Sequence, residues 1–266
     1  MQTPTPPVPP CRGIEDSGTA SRPGTVAPSS ARPAAARVAR RAPITIDALL
    51  DRSPWVEALD PVERMRLSRE TPVRAFPAGA MVVRKGEPVE AWLGVVDGLV
   101  KVASVSPEGR SVTYTGVTSG GWFGEGSLLK SEPRKYDVVA LRDSHVALMP
   151  RATFQRLLDC SIAFNRFLLT QLNERLGQFI AMVEHDRLLG PDARVARCLA
   201  ELFNPVLYPG GGRRMAISQE EIGYLSGVSR QRANRALRTL EQAGLLALEY
   251  GAIVVPDPQA LRRFSG

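Results

Sequence analysis

The sequence is poor in the residues that build metal, redox and disulfide chemistry, with three cysteines and two histidines in 266 residues. Cys11, Cys160 and Cys198 are widely spaced and odd in number, which argues against a disulfide framework and suits a reducing compartment. An iron–sulfur cluster takes a set of four cysteine ligands, which three dispersed ones do not supply. His145 and His185 fall in different predicted elements, so neither haem nor any other metal site is expected. Cys160 and Cys198 sit among apolar neighbours in predicted helices and read as inert, buried thiols. No run of eighteen apolar residues occurs, so no membrane-spanning helix is expected. A basic segment leading into an apolar core is also missing from the start, and with it a secretory signal. A cytoplasmic protein fits these absences. The chain lacks a Gly-rich phosphate loop, a metal-ligand spacing and a nucleophile–base constellation, which argues against an enzyme.

What is abundant is arginine, and its distribution says more than the net charge of +7. Residues 1–43 hold six arginines against Glu15 and Asp16, so much of the excess lies in the tail. That tail has nine prolines, eight alanines and no aromatic residue, and cannot bury enough apolar surface to offset the entropy of ordering. It is expected to be disordered. A transit peptide is the alternative, opposed by the proline density and the two acids. From Ser229 to Leu240, by contrast, Arg230, Arg232, Arg235 and Arg238 occur with no acid between them. A surface that approaches phosphates has that composition.

Between these extremes the chain changes character several times. Ser53-Pro54 reads as a helix start, with Trp55, Leu59 and Val62 on one face. Residues 73–150 carry turn signals about every ten residues: Pro77-Ala78-Gly79, Lys85-Gly86, Asp97-Gly98, Glu108-Gly109 and Gly120-Gly121. Short β-type runs lie between them (Met81–Val83, Leu99–Val102, Ser111–Tyr114), and the pattern predicts a β-sandwich or barrel. Residues 151–189 turn helical. Ile162, Leu169, Leu172, Leu176, Phe179 and Val183 repeat as an a/d heptad, with Asn165 in the remaining seam position. That spacing predicts a seam between two copies of the chain; the alternative is an amphipathic helix packed on its own β-domain. Gly190-Pro191 then breaks the helix.

The last segment reads as a helix from Ala193 to Leu202, a glycine loop, a further helix pair and a hairpin turning at Tyr250-Gly251. Ser218 and Glu221 form a predicted capping box, Ile222 and Leu225 the buried face of a short helix, and Gly227 its end. Ser229 caps a second helix whose Ala233, Ala236, Leu237 and Leu240 point to the core. A short helix, a glycine turn and a second helix is the helix-turn-helix layout, in which the second helix enters the major groove. Arg230, Gln231, Asn234 and Arg235 are the candidate base readers, since Arg pairs bidentately with guanine and Gln or Asn with adenine. Ser229 and Arg232 are better placed for phosphate. A small-molecule or cyclic-nucleotide binding module whose helix pair serves protein contacts is the alternative function, and the acid-free arginines argue against it.

Phe76-Pro77, Gly86-Glu87, Gly124-Glu125, Glu174-Arg175-Leu176 and above all the stretch from Ile217 to Leu246 resemble the Crp/Fnr family. The resemblance implies an α+β protein with an N-terminal β-roll (a jelly roll of the cyclic-nucleotide-binding kind), a long dimerisation helix and a C-terminal winged helix-turn-helix. The corresponding boundaries are a tail over 1–43, a β-roll over 44–160, the dimerisation helix over 161–189 and the DNA-binding domain over 190–266. It implies base reading by Arg230, Gln231 and Arg235, phosphate contacts from Ser229 and Arg232, and backbone contacts from Ser218 and Gln219. Where the cAMP receptor protein has Glu this chain has Gln231, which both donates and accepts. Double-stranded DNA and a second copy of the chain are the implied partners, with RNA polymerase a further one.

The implied effector pocket departs from the family pattern. Gly124-Glu125 is present, but Lys135-Tyr136 stands where the family has Arg-Ser, and Phe179-Ile180 where it has Thr-Ser. Lysine offers a point charge instead of a planar fork at a phosphate, and Phe179 and Ile180 cannot hydrogen-bond a purine. Arg134 substitutes only by a register shift. cAMP held in the family's manner is therefore not expected, and the effector is left open.

Overall fold

The computed structural model describes residues 44–209 and 211–265; the predicted disordered tail and Cys11 lie outside them. A short helix α1 (Asp47–Leu50), a 3-10 turn (Pro54–Ala58) and α2 (Pro61–Glu70) come first. The single helix expected from Ser53 is thus two pieces. Pro61 has no N–H to continue the first, and Asp60 caps the second by accepting from the Glu63 amide at 2.8 Å. Val62 is exposed as a result, and the Ser53 side chain donates to the Leu49 carbonyl instead of capping a helix.

Eight strands follow: β1 (Val73–Phe76), β2 (Met81–Val83), β3 (Ala91–Asp97), β4 (Leu99–Val105), β5 (Ser111–Thr118), β6 (Trp122–Phe123), β7 (Asp137–Ala140) and β8 (Ser144–Pro150). The short helix α3 (Glu125–Leu129) lies between β6 and β7. The strands form two four-stranded antiparallel sheets, ordered β1-β8-β3-β6 and β2-β7-β4-β5, a β-sandwich whose interior holds Leu93, Val95, Val100, Val117, Phe123 and Val146. A second core covers the outer face of the first sheet. There Trp55, Trp92, Trp122, Phe154 and Phe164 meet, with the Trp92 and Trp122 rings stacked at 4.3 Å.

The helical stretch over 151–189 is two helices, α4 (Arg151–Cys160) and the 27-residue α5 (Ile162–Leu188). Ser161 caps α5 by accepting from the Phe164 amide. Asn165 does not lie free in a seam. Its Nδ2 donates to the Leu158 carbonyl at 2.7 Å and so fastens the elbow between the two helices. The remaining seam residues form a bare apolar stripe, with Ile162 70%, Leu169 67% and Leu176 58% exposed, and Leu172, Phe179 and Val183 exposed as well. Cys160 is exposed rather than buried.

After α5 come α6 (Pro191–Leu202), β9 (Arg214–Ala216), α7 (Gln219–Ser226), α8 (Arg230–Gln242), β10 (Ala247–Glu249), β11 (Ala252–Val254) and α9 (Pro258–Arg263). The three strands make a small antiparallel sheet, β10-β11-β9, with Tyr250 fully exposed at the hairpin tip. Val195, Leu199, Ile222, Ala233, Ala236, Leu237 and Leu240 form the core of this winged helix-turn-helix. Among the described residues no helix is long and apolar enough to cross a membrane.

Candidate nucleic-acid interface and sensor pocket

The helix-turn-helix is set by local bonds. Ser218 accepts from the Glu221 amide at 3.2 Å while a Glu221 oxygen accepts from the Ser218 amide, so the capping box is complete. Gly227 ends α7 at φ +65, a backbone state that costs a side chain but not glycine. Ser229 then caps α8 by accepting from the Arg232 amide. Because four small or apolar residues on one face of α8 are buried, the opposite face is forced outward. Arg230, Gln231, Arg235 and Arg238 are exposed, Asn234 is half-buried, and Ser218 and Ser229 are exposed beside a half-buried Gln219.

Arg232 departs from the expectation of an arginine face without acidic partners. Its guanidinium meets Asp192 at the start of α6 at 3.1 Å. The pairing escapes a sequence reading because Asp192 lies forty residues upstream. Glu221 is also shared: both its carboxylate oxygens accept from Arg142 Nη2 at 2.7 Å, from the turn between β7 and β8.

The predicted pocket residues do not all converge. Gly124 (φ +89) and Glu125 sit buried at the start of α3. Lys135 points away and pairs with Glu132 at 3.0 Å. Arg134 is buried in its place: a Cβ at Gly124 would lie 2.6 Å from its Nη1, and its Nη2 donates to the Ala91 carbonyl at 2.6 Å. Its Nε and Nη1 have no partner. Burial pulls the Arg134 pKa down, against Tyr136, Glu87 and Glu125, which favour the charge. Tyr136 is pushed up, first by burial and then by Glu125. Phe179 and Ile180 are exposed on α5.

Two residues to which the sequence assigns no pocket role complete this cluster. Arg175 on α5 donates to the Trp122 carbonyl at 2.6 Å and lies 3.9 Å from Glu125. Burial opposes its charge, but Tyr208, Glu125 and Tyr136 outweigh burial, and its pKa stands above the usual value. Tyr208 packs beside it inside the sandwich. The Glu174-Arg175-Leu176 motif was a signal for Arg175; nothing local marks Tyr208. Arg134, with Nε and Nη1 unpartnered, is a buried group at this cluster able to donate to an anion such as the phosphate half of a cyclic nucleotide. The purine half is not matched, because Phe179 and Ile180 offer no hydrogen bond. Among the described residues no group of His, Cys, Asp and Glu is placed to hold a metal ion.

Comparison with known proteins agrees with this architecture. Residues 73–160 match the cyclic nucleotide-binding domain and residues 193–264 the Crp-like helix-turn-helix domain. A CRP-like cAMP-activated global transcriptional regulator of Mycobacterium tuberculosis is 26% identical over 221 residues, covering 82% of this chain and 99% of its own. The transcriptional regulator LdrP of Thermus thermophilus is 28% identical, over 73% of this chain and 97% of its own. In fold, FixK2 of Bradyrhizobium japonicum superposes with a TM-score of 0.61 at 22% identity, over 74% of this chain and 98% of that one. With both modules in this order and regulators as its relatives, the chain belongs to the Crp/Fnr family of DNA-binding transcription regulators.

Proposed function

We propose that the protein works as a homodimer that reads an inverted-repeat operator through α8 and is controlled by a signal sensed in its β-roll. The observation that carries this reading is the outward arginine face of α8, placed directly after the left-handed Gly227 turn. Arg230, Gln231, Asn234 and Arg235 read base edges; Ser218, Gln219, Ser229 and Arg232 hold phosphates, Arg232 after leaving Asp192. Residues 44–160 act as sensor, 161–189 as dimerisation helix and 190–266 as the DNA-binding domain. The bare stripe from Ile162 to Val183 pairs two copies, setting half-sites about 34 Å apart. RNA polymerase is the further partner proposed.

The relatives' names include cAMP activation, yet here the signal is not cAMP bound in the usual way. Arg134 supplies a guanidinium, but Phe179 and Ile180, at the positions that would read the purine, offer no hydrogen bond. Enrichment of duplexes from a random pool tests the DNA reading: an inverted repeat is expected, and a direct or single site would overturn the dimeric part. Leu169→Glu with Leu176→Glu is expected to give a monomer by sedimentation. Calorimetric titration with cAMP is expected to show no tight binding, and a micromolar enthalpic transition would sink the effector argument.

A further inference from the structure

The segment that leaves α6 does not run over the surface as connecting loops usually do. Leu207 and Tyr208 instead enter the β-sandwich, 0% and 2% exposed, and join Val95, Val100, Val117 and Phe123 in its interior. The Tyr208 hydroxyl donates to the Gly116 carbonyl on β5 at 2.7 Å. Its ring lies so near Gly121 that a Cβ there would meet Cδ1 at 2.7 Å. The turn is preformed, because Asn204 Oδ1 accepts from the Val206 and Leu207 amides. Helix α5 grips it from outside: Gln171 Nε2 donates to the Val206 carbonyl at 2.6 Å, and Glu174 accepts from Asn204 Nδ2 at 2.8 Å.

A second attachment lies on α7. Arg142 holds Glu221, Lys101 Nζ stands 4.7 Å above the Tyr224 ring, and Leu225 packs on Gly116. In this fold the first helix of the pair crosses the DNA backbone, and here Glu221, Tyr224 and Leu225 of that helix rest on the sensor. Arg175 lies between the two ends: it donates to the carbonyl of Trp122, the neighbour of the Gly121 on which the Tyr208 ring packs, and stands 3.9 Å from Glu125.

We propose that Leu207–Tyr208 is an intramolecular latch: seated in the β-roll, it keeps α7 against β5 and the helix-turn-helix away from DNA. Its withdrawal is the step by which a signal near Glu125 and Arg134 frees the DNA-binding domain, because Arg175, which faces Glu125, also holds the Gly121–Trp122 backbone against which Tyr208 packs. The latch rests on the reading of the β-roll as sensor, but its anatomy can be tested without any effector.

Four variants of the full chain make the test. Asn204→Ala and Gln171→Ala loosen the turn from outside the sheets, Tyr208→Phe removes only the hydroxyl bond, and Tyr208→Ala removes the anchor. Hydrogen exchange of the free chain and affinity for the duplex enriched by the wild type are the two readouts. Asn204→Ala and Tyr208→Ala are expected to speed exchange in residues 204–209 and in α7 together, and to tighten duplex binding about tenfold. Loss of a single hydrogen bond in Tyr208→Phe is expected to give roughly threefold. Faster exchange confined to 204–209, or duplex affinity unchanged or weaker in folded variants, overturns the latch. Where Tyr208→Ala fails to fold by thermal melt, the Asn204→Ala result decides. Where the wild type enriches no duplex, the DNA reading fails on its own, and joint exchange of 204–209 with α7 alone decides the latch.

Discussion

Arg230, Gln231, Asn234 and Arg235 come from six consecutive residues of one helix, and most of that surface faces solvent. Glu125, Arg134, Arg175 and Tyr208 come to one place from α3, the turn before β7, α5 and the segment after α6, and all are largely buried. An exposed site can change its chemistry with little effect on folding, whereas a buried charged cluster carries stability and signal in the same bonds. The two regions therefore respond differently to substitution.

The largest separation is expected from Arg175→Ala. Removing one partner of a buried ion pair leaves the other charge uncompensated and costs about 3–5 kcal/mol, read as a large drop in the denaturant midpoint. A midpoint unchanged within error would show that the cluster carries no stability. Arg230→Ala with Arg235→Ala should do the reverse. Each bidentate base contact is worth about 1–3 kcal/mol, so specific duplex affinity should fall on the order of a hundredfold or more, while stability stays within about 0.5 kcal/mol, as for most surface changes. Equal losses on specific and random duplex would place these arginines on phosphates.

Ser218→Ala probes the boundary between the two cases, because the capping box is local but Glu221 is also held by Arg142. A cap is worth about 1 kcal/mol, and a loss much above that in a melt would mean that the Arg142 contact fails with it. The smallest effect concerns the thiols. Burial pushes the Cys198 thiol up to about 12, so at pH 8 its thiolate fraction is on the order of 10⁻⁴. Exposed Cys160 should alkylate in the folded chain much faster than half-buried Cys198, by mass of the labelled peptides. Labelling of both at equal rates would show that the α6 region opens readily.

The same contrast explains what could be read in advance. The capping box, the Gly227 turn and the buried face of α8 each depend on residues within four positions, and all three are visible as spacing. The heptad from Ile162 to Val183 is likewise a helical periodicity, and it emerges as a continuous exposed stripe. At the pocket the sequence leaves Arg134 and Lys135 as alternatives, because the turn decides which side chain faces inward. Arg134 and Lys135 are neighbours, and the bend at Lys135 sends one inward to the Ala91 carbonyl and the other outward to Glu132. Asn165 fits a seam by spacing, yet the Leu158 carbonyl across the helix break claims its amide. Tyr208 lies beyond any local pattern, since its partner Gly116 is ninety-two residues away.

The ion pair between Arg232 and Asp192 has a consequence for how binding answers to salt. An arginine that neutralises a DNA phosphate normally releases condensed counterions, and each such contact steepens the salt dependence by about 0.9 in the logarithmic slope. Arg232 arrives already neutralised. In its proposed phosphate role, Arg232 exchanges one anion for another and leaves Asp192 to recruit a cation from solution, which opposes the release. The salt slope should therefore fall short of the number of basic side chains at the interface, and Asp192→Asn should restore the missing increment.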